Sequence, residues 1–325
     1  MSRAEAGNQR KKRGWISASA RSFIREARQT PDYSLFDFIH GYVYNRWPYV
    51  YIGIAAGEHP LVRLLRPLAR LKNALFPSKS NPENAKRRAA EAYHAKVLTN
   101  QAARQLVMVR EDVRIENTEQ VIPYTRARDI ILKNPDHIVV VECPCRSSRP
   151  DPCSPLDVCL VVGEPFAGFI IEHHPDRARW VTGEEACEIL EAEHARGHVH
   201  HAFFNEQQLN RFFGICNCCS CCCVAMQAWQ SGIPMLAASG YTSNLDADSC
   251  IGCGDCAQVC PFGAIDLEGE VAAVSAEKCM GCGVCVSQCQ AGALSLVRDP
   301  SKGEPLEIQE LIAQAKQRAD STIAG

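Results

Sequence analysis

Four cysteines spaced C-x2-C-x2-C-x3-C occur twice in this 325-residue chain. The first run is Cys250, Cys253, Cys256 and Cys260; the second is Cys279, Cys282, Cys285 and Cys289. Gly263-Ala264-Ile265 likewise returns as Gly292-Ala293-Leu294. A fixed offset held over this length marks a duplicated unit. Three thiols so close in sequence cannot all pair in disulfides of good geometry. The backbone between them has to wrap something, and this constrains residues 242–298 more than any hydrophobic pattern.

A cubane [4Fe–4S] cluster needs four thiolates around a cube. A tight C-x2-C-x2-C loop supplies three of them, and Gly252 and Gly254 let its backbone turn N–H groups toward sulfur. In such runs the fourth cysteine ligates the other cluster. The expected ligands are therefore Cys250, Cys253, Cys256 and Cys289 for one [4Fe–4S] cluster, and Cys279, Cys282, Cys285 and Cys260 for a second. Structural zinc would use two paired C-x2-C half-motifs, which these runs are not. On these residues, 242–298 resembles the bacterial two-cluster ferredoxins. The resemblance implies a ferredoxin-like ββα pseudo-repeat with a hairpin around Glu268-Gly269-Glu270 leading into Val271–Val274, and it implies low-potential electron transfer. Pro261 follows Cys260 as in that family, whereas Gln290 follows Cys289, a change that removes no ligand.

The chain has nineteen cysteines, so eleven lie outside the runs. Cys187 sits beside Ala186, Ile189 and Leu190 in an expected helix and reads as a core residue. The other ten fall in two groups: Cys143, Cys145, Cys153 and Cys159, then Cys216, Cys218, Cys219, Cys221, Cys222 and Cys223. Six cysteines in eight residues is not core composition, and such density oxidises unless metal holds it. These ten are candidate ligands of a further iron–sulfur cluster. Two arrangements are open, one site from either group alone or one site built by both, and Cys221 to Cys223 cannot all face one metal. A zinc knuckle would not use ten cysteines. The Cys-Cys-Gly repeat of disulfide-reductase subunits is absent, because Ser220 follows Cys218-Cys219. The stretch 121–298, with its C-P-C-R segment at 143–146 and its C-N-C-C-x-C-C-C segment at 216–223, resembles uncharacterised dicluster ferredoxin-domain proteins of anaerobic bacteria.

The expected fold class is α/β joined to α+β. Residues 1–32 read as a basic, loosely ordered arm with eight Lys/Arg, and 33–107 as helical. The third helix of that region runs from Asn81-Pro82 toward Leu106. Residues 108–240 read as a Cys-rich α/β domain: a helix from Pro123 to Leu132, a buried strand Ile138–Glu142 ending at Cys143, a strand at Phe166–Ile171, and a capped helix from Thr182 with Glu185. In open α/β sheets ligands gather at strand C-termini, which favours Cys143 as a site residue. The 242–298 module follows, then a C-terminal helix and tail at 299–325. His198 and His200 share one strand face and read as a polar strand edge. Arg146 is either a charge beside a cluster or a salt-bridge partner.

A net charge of −2 does not point to nucleic acid, and the short basic run 10–13 carries no helix-turn-helix, so a nucleic-acid-binding sensor is the weakest reading. No nucleotide-binding or hydrolase motif is present. No span of ~20 apolar residues crosses a membrane. Gly14–Ala20 is no secretory core, so the thiols are expected in a reducing cytoplasm. Leu61–Leu75 is a basic amphipathic stretch suited to partner docking and, less well, to a membrane surface. The module at 242–298 holds seven Asp/Glu against Lys278 and Arg298, which suits a redox partner with a basic docking surface. The functional expectation is an electron-transfer protein or subunit. The alternative is an oxidoreductase with a catalytic iron–sulfur or metal site at Cys143–Cys223 fed by the ferredoxin module.

Overall fold

The computed structural model describes residues 17–62, 64, 67–68 and 81–323. The basic run 10–13 and most of Leu61–Leu75 lie outside the described residues. Thirteen strands are described: β1 Tyr93–Leu98, β2 Val113–Ile115, β3 Ile130–Leu132, β4 Ile138–Glu142, β5 Asp157–Val162, β6 Ala178–Val181, β7 Val199–Asn205, β8 Arg211–Cys218, β9 Leu236–Ala237, β10 Tyr241–Leu245, β11 Ile265–Glu268, β12 Val271–Val274 and β13 Leu294–Arg298. Seven of them form one sheet in the order β6-β4-β5-β8-β7-β1-β9.

Helix and strand are mixed in this region as expected, but the sheet is not the parallel one that an open α/β assignment implies. Every neighbouring pair is antiparallel except β1 with β9. The strand-end rule for parallel sheets therefore does not explain the position of Cys143. The inner strands are buried along nearly their whole length, because helices cover both faces. Gly183–Ala195 and Asn100–Val107 pack on one face; Phe166–His173 and the N-terminal helices pack on the other. Thr182 starts Gly183–Ala195 by accepting from the Glu185 amide at 3.2 Å, and Thr99 starts Asn100–Val107 in the same way. Each satisfies an amide that the helix itself leaves unpaired.

Three sequence expectations fail locally. Phe166–His173 is a helix rather than a strand, with Phe166, Ala167, Phe169 and Ile170 buried at helical spacing; a short apolar run does not distinguish the two by pattern alone. The expected helix Pro123–Leu132 is a loop ending in β3, held by Tyr124, whose ring stacks on His94 at 3.8 Å and whose hydroxyl donates to Pro234 O. The helix begun at Pro82 stops at Ala92, where Tyr93–Leu98 enters the sheet and pairs with β7 on one side and β9 on the other. Two rows of strand partners outweigh weak helical propensity.

Residues 18–29, inside the stretch read as a loose arm, form a helix. Its Phe23 is buried against Phe38, Phe166 and Phe169 with ring centroids 5.2–6.0 Å apart. The next helix, Leu35–Arg46, opens on a capping box between Ser34 and Asp37 and lies on the loop after β7. Gly41 is its contact point: a Cβ there would overlap Gln207 O. Asn45 and Tyr33 donate to Gln208 Oε1 and Gln207 O at 2.8 and 2.7 Å. The N-terminal aromatics are thus a lid on the sheet. Beyond the sheet, β10 pairs with β13 and β11 with β12, and the latter pair turns at the expected hairpin. No described helix is long and apolar enough to cross a membrane.

Candidate iron–sulfur and thiol sites

The eight duplicated cysteines line two cavities. Cys250, Cys253, Cys256 and Cys289 surround the first, with Leu245, Leu267 and Ala272. Cys260, Cys279, Cys282 and Cys285 surround the second, with Ser243, Phe262 and Leu296. The fourth cysteine of each run thus stands with the three of the other. A short helix carries each chain across, Asp255–Val259 to Cys260 and Val284–Gln288 to Cys289.

Both cavities suit a thiolate-held cluster on their own chemistry. The glycines inside the loops are left-handed, Gly252 at φ +67° and Gly281 at φ +66°, and a Cβ would overlap Glu270 O or Tyr241 O. That close approach aims backbone N–H groups at sulfur. Amides of Ala272 and Gly252 lower the Cys250 thiol pKa. Ser243 N donates to Cys279 Sγ at 3.4 Å and Ala264 N to Cys260 Sγ at 3.3 Å. Burial pushes the Cys282 thiol up, the cost that a bound cation offsets.

The ten remaining candidate cysteines do not form one site. Seven line a cavity of about 200 Å³ on the lid side of the sheet: Cys143, Cys145, Cys159, Cys216, Cys218, Cys219 and Cys223. β4 delivers Cys143 and β5 delivers Cys159, while β8 contributes Cys216 and Cys218. Cys223 caps the helix Val224–Gln230. Hydrogen bonds shared with Cys145 and Cys159, and the Arg146 amide, hold the Cys143 thiol well below its ordinary range. Its two neighbours are pushed up in consequence. Tyr44, Tyr51 and Tyr93 line the cavity beside these thiols, a placement that no local sequence pattern encodes.

Cys153, Cys219, Cys221 and Cys222 form a second group, with all four sulfurs within 4.8 Å of one another; Cys219 belongs to both sets, since it also lines the cavity. Cys187 belongs to neither set and is half-buried at the edge of the core. Its helix packs on Asn100–Val107.

Arg146 is a salt-bridge partner and also lines the cysteine-rich cavity. It pairs with Glu193 at 2.5 Å, with both side chains 1% exposed, and donates to Pro155 O and Asn217 O. His198 bonds to Glu193 at 2.7 Å. The reading of a polar strand edge is wrong: β7 lies between β8 and β1, in the middle of the sheet. His200 is buried and bonded to Asn217 Oδ1 at 2.6 Å. His201 pairs in register with Cys216, and neither of its ring nitrogens has a partner. Burial lowers its pKa to about 3, so the ring is neutral. The ferredoxin module packs on this region, and Gln288 Nε2 donates to Ala195 O at 3.0 Å. Phe262, on the wall of the second cavity, meets Trp229 edge-on at 5.2 Å, and Ser239 N donates to Met280 O.

No curated protein sequence matches this chain. Residues 242–290 match the family model described as a 4Fe-4S dicluster domain, and the chain accordingly carries a ferredoxin-like iron–sulfur module there.

Proposed function

We propose that this chain is an electron relay in which two cubanes, held by Cys250, Cys253, Cys256 and Cys289 and by Cys260, Cys279, Cys282 and Cys285, feed a third iron–sulfur centre in the cysteine-lined cavity under Tyr44, Tyr51 and Tyr93. The observation that carries the reading is the asymmetric placement of the two ferredoxin cavities. The first faces outward: Cys253 is exposed and Ile251 is 71% exposed beside it. The second adjoins the main core, in which Met280, Cys282 and Val284 are buried. From its wall a contact path runs through Phe262 and Trp229 into the helix that begins after Cys223. Electrons would enter at the exposed cavity and leave inward.

The test is iron and acid-labile sulfide in anaerobically purified protein. Two cubanes account for about eight sulfides per chain, and a third centre raises that figure. Cys159→Ser should lower it while leaving the ferredoxin signals in the electron paramagnetic resonance (EPR) spectrum of the reduced protein. Two zinc ions and no sulfide would remove the relay altogether. The oxidoreductase reading draws on a specific feature, seven thiols where a cubane uses four. A change in the third centre's spectrum on adding a small-molecule substrate would favour it.

The outward face also suggests the partner. Asp246, Asp248, Asp255, Asp266, Glu268, Glu270 and Glu277 are all exposed, so a redox protein with a basic surface fits. Its electron-transfer rate with this chain should fall several-fold between low and physiological salt, where screening shortens to ~8 Å. A rate that stays flat across that range would exclude this mode of docking.

A further inference from the structure

We infer that Cys153, Cys219, Cys221 and Cys222 hold one tetrahedral divalent ion of the zinc or ferrous class, separate from the iron–sulfur clusters. Distance decides between a single ion and a cubane. Sulfurs bound at about 2.3 Å to one tetrahedral centre lie about 3.8 Å apart. Around a cubane each thiolate stands outside its own iron, and the separations grow to roughly 6 Å. Here Cys221 Sγ lies 3.7 Å from Cys222 Sγ, which lies 3.7 Å from Cys153 Sγ. Cys153 and Cys221 are 3.0 Å apart, and every pair in the group is within 4.8 Å. Four thiolates fit one ion at this spacing, and there is no room between them for a cube.

The surroundings agree. Cys219 and Cys222 are buried, Cys153 is half-exposed and Cys221 exposed, so the site opens to water on one side and an ion can enter. The loop is held in place from outside the group. Arg149 donates to Cys222 O at 3.1 Å and to Gln227 Oε1 at 2.5 Å, while Gln227 Nε2 donates to Cys221 O at 2.8 Å. Such bracing orients ligands before metal arrives. Cys223, next in the chain, turns instead into the cysteine-lined cavity. The ion would therefore clip the 148–156 loop to the 218–223 loop, and these two loops carry or adjoin most of that cavity's thiols. Cys219 also lines the cavity; the assignment gives this thiol to the ion and leaves the other six to the cavity's own centre.

The experiment measures metals and sulfide in the full chain purified anaerobically. The expected result is one equivalent of zinc, or of iron in excess of the cluster iron. X-ray absorption at the zinc edge should show four sulfurs at about 2.3 Å and no iron neighbour. The ferrous case is distinguished by a high-spin ferric tetrathiolate EPR signal after mild oxidation. Cys153→Ser and, independently, the exposed Cys221→Ser should each remove that ion and leave sulfide content unchanged. Three results overturn the proposal: no such ion in the wild-type protein, a loss of about four sulfides with Cys153→Ser, or a Cys153–Cys221 disulfide found by mass spectrometry in its place.

Discussion

Cys256→Ala is expected to abolish the cubane of the outward cavity and spare its partner. Iron and labile sulfide should each fall by roughly four per chain. Where the three remaining thiolates retain a three-iron fragment, iron falls by one and the EPR signature changes type. The second cavity keeps all four of its cysteines in either case, so one reduced-cubane signal persists. Cys256 is buried on the cavity wall, and alanine fits its space without offering a ligand. The crossed arrangement adds a sharper requirement. Cys289 lies in the second sequence run but in the first cavity, so Cys289→Ala should mimic Cys256→Ala. Cys260 lies in the first run but in the second cavity, so Cys260→Ala should mimic Cys282→Ala. If Cys260→Ala and Cys256→Ala silence the same signal, each run closes its own cluster and the assignment fails.

Arg146→Met should cost about 3–5 kcal/mol of stability, the range for breaking one partner out of a buried ion pair. Arg146 and Glu193 are both shielded from water, and Arg146 makes four contacts: Glu193, His198, Pro155 O and Asn217 O. These join the segment after β4, the loop before β5, the helix Gly183–Ala195 and β8. Methionine fills much of the volume but deprives a buried carboxylate of its buried cation, leaving it His198 and the exposed Arg196, and removes the donor to two carbonyls. The measurement is the urea midpoint by far-ultraviolet circular dichroism under anaerobic conditions, for the single variants and for Arg146→Met with Glu193→Leu. The double variant should lose less than the sum of the singles, since it leaves no lone charge. A single variant within about 0.5 kcal/mol of wild type, the range of ordinary surface changes, would show that the pair contributes nothing net.

How far these sites were legible from residues alone differs between them. The eight ferredoxin cysteines could be picked out because their geometry is local. Two residues between thiols, a glycine in the left-handed region and a short helix to the fourth cysteine all lie within one run, and duplication prints the pattern twice. The hairpin Ile265–Val274 and the helix begun at Thr182 were readable for the same reason: a turn and a cap are short-range interactions. Phe166–His173 was not readable, because whether a short apolar run becomes helix or strand depends on what lies above it.

The sequence by itself determined that ten further cysteines stand in two dense segments that core packing cannot explain. Only the tertiary structure decided that they divide, seven around a cavity under Tyr44, Tyr51 and Tyr93 and four, Cys219 shared between the sets, where two loops meet. The physical reason is side-chain direction. Along 218–223 the path of one turn sends Cys221 and Cys222 one way and Cys223 the other. The partners of those thiols arrive from strands and loops remote in sequence: Cys143 at the end of β4, Cys159 in β5, and Cys153 across the 148–156 loop. No local spacing encodes which of them will meet. The order of the strands in the sheet does, and that order is set by burying the faces of β4, β5, β7 and β8 between two layers of helices.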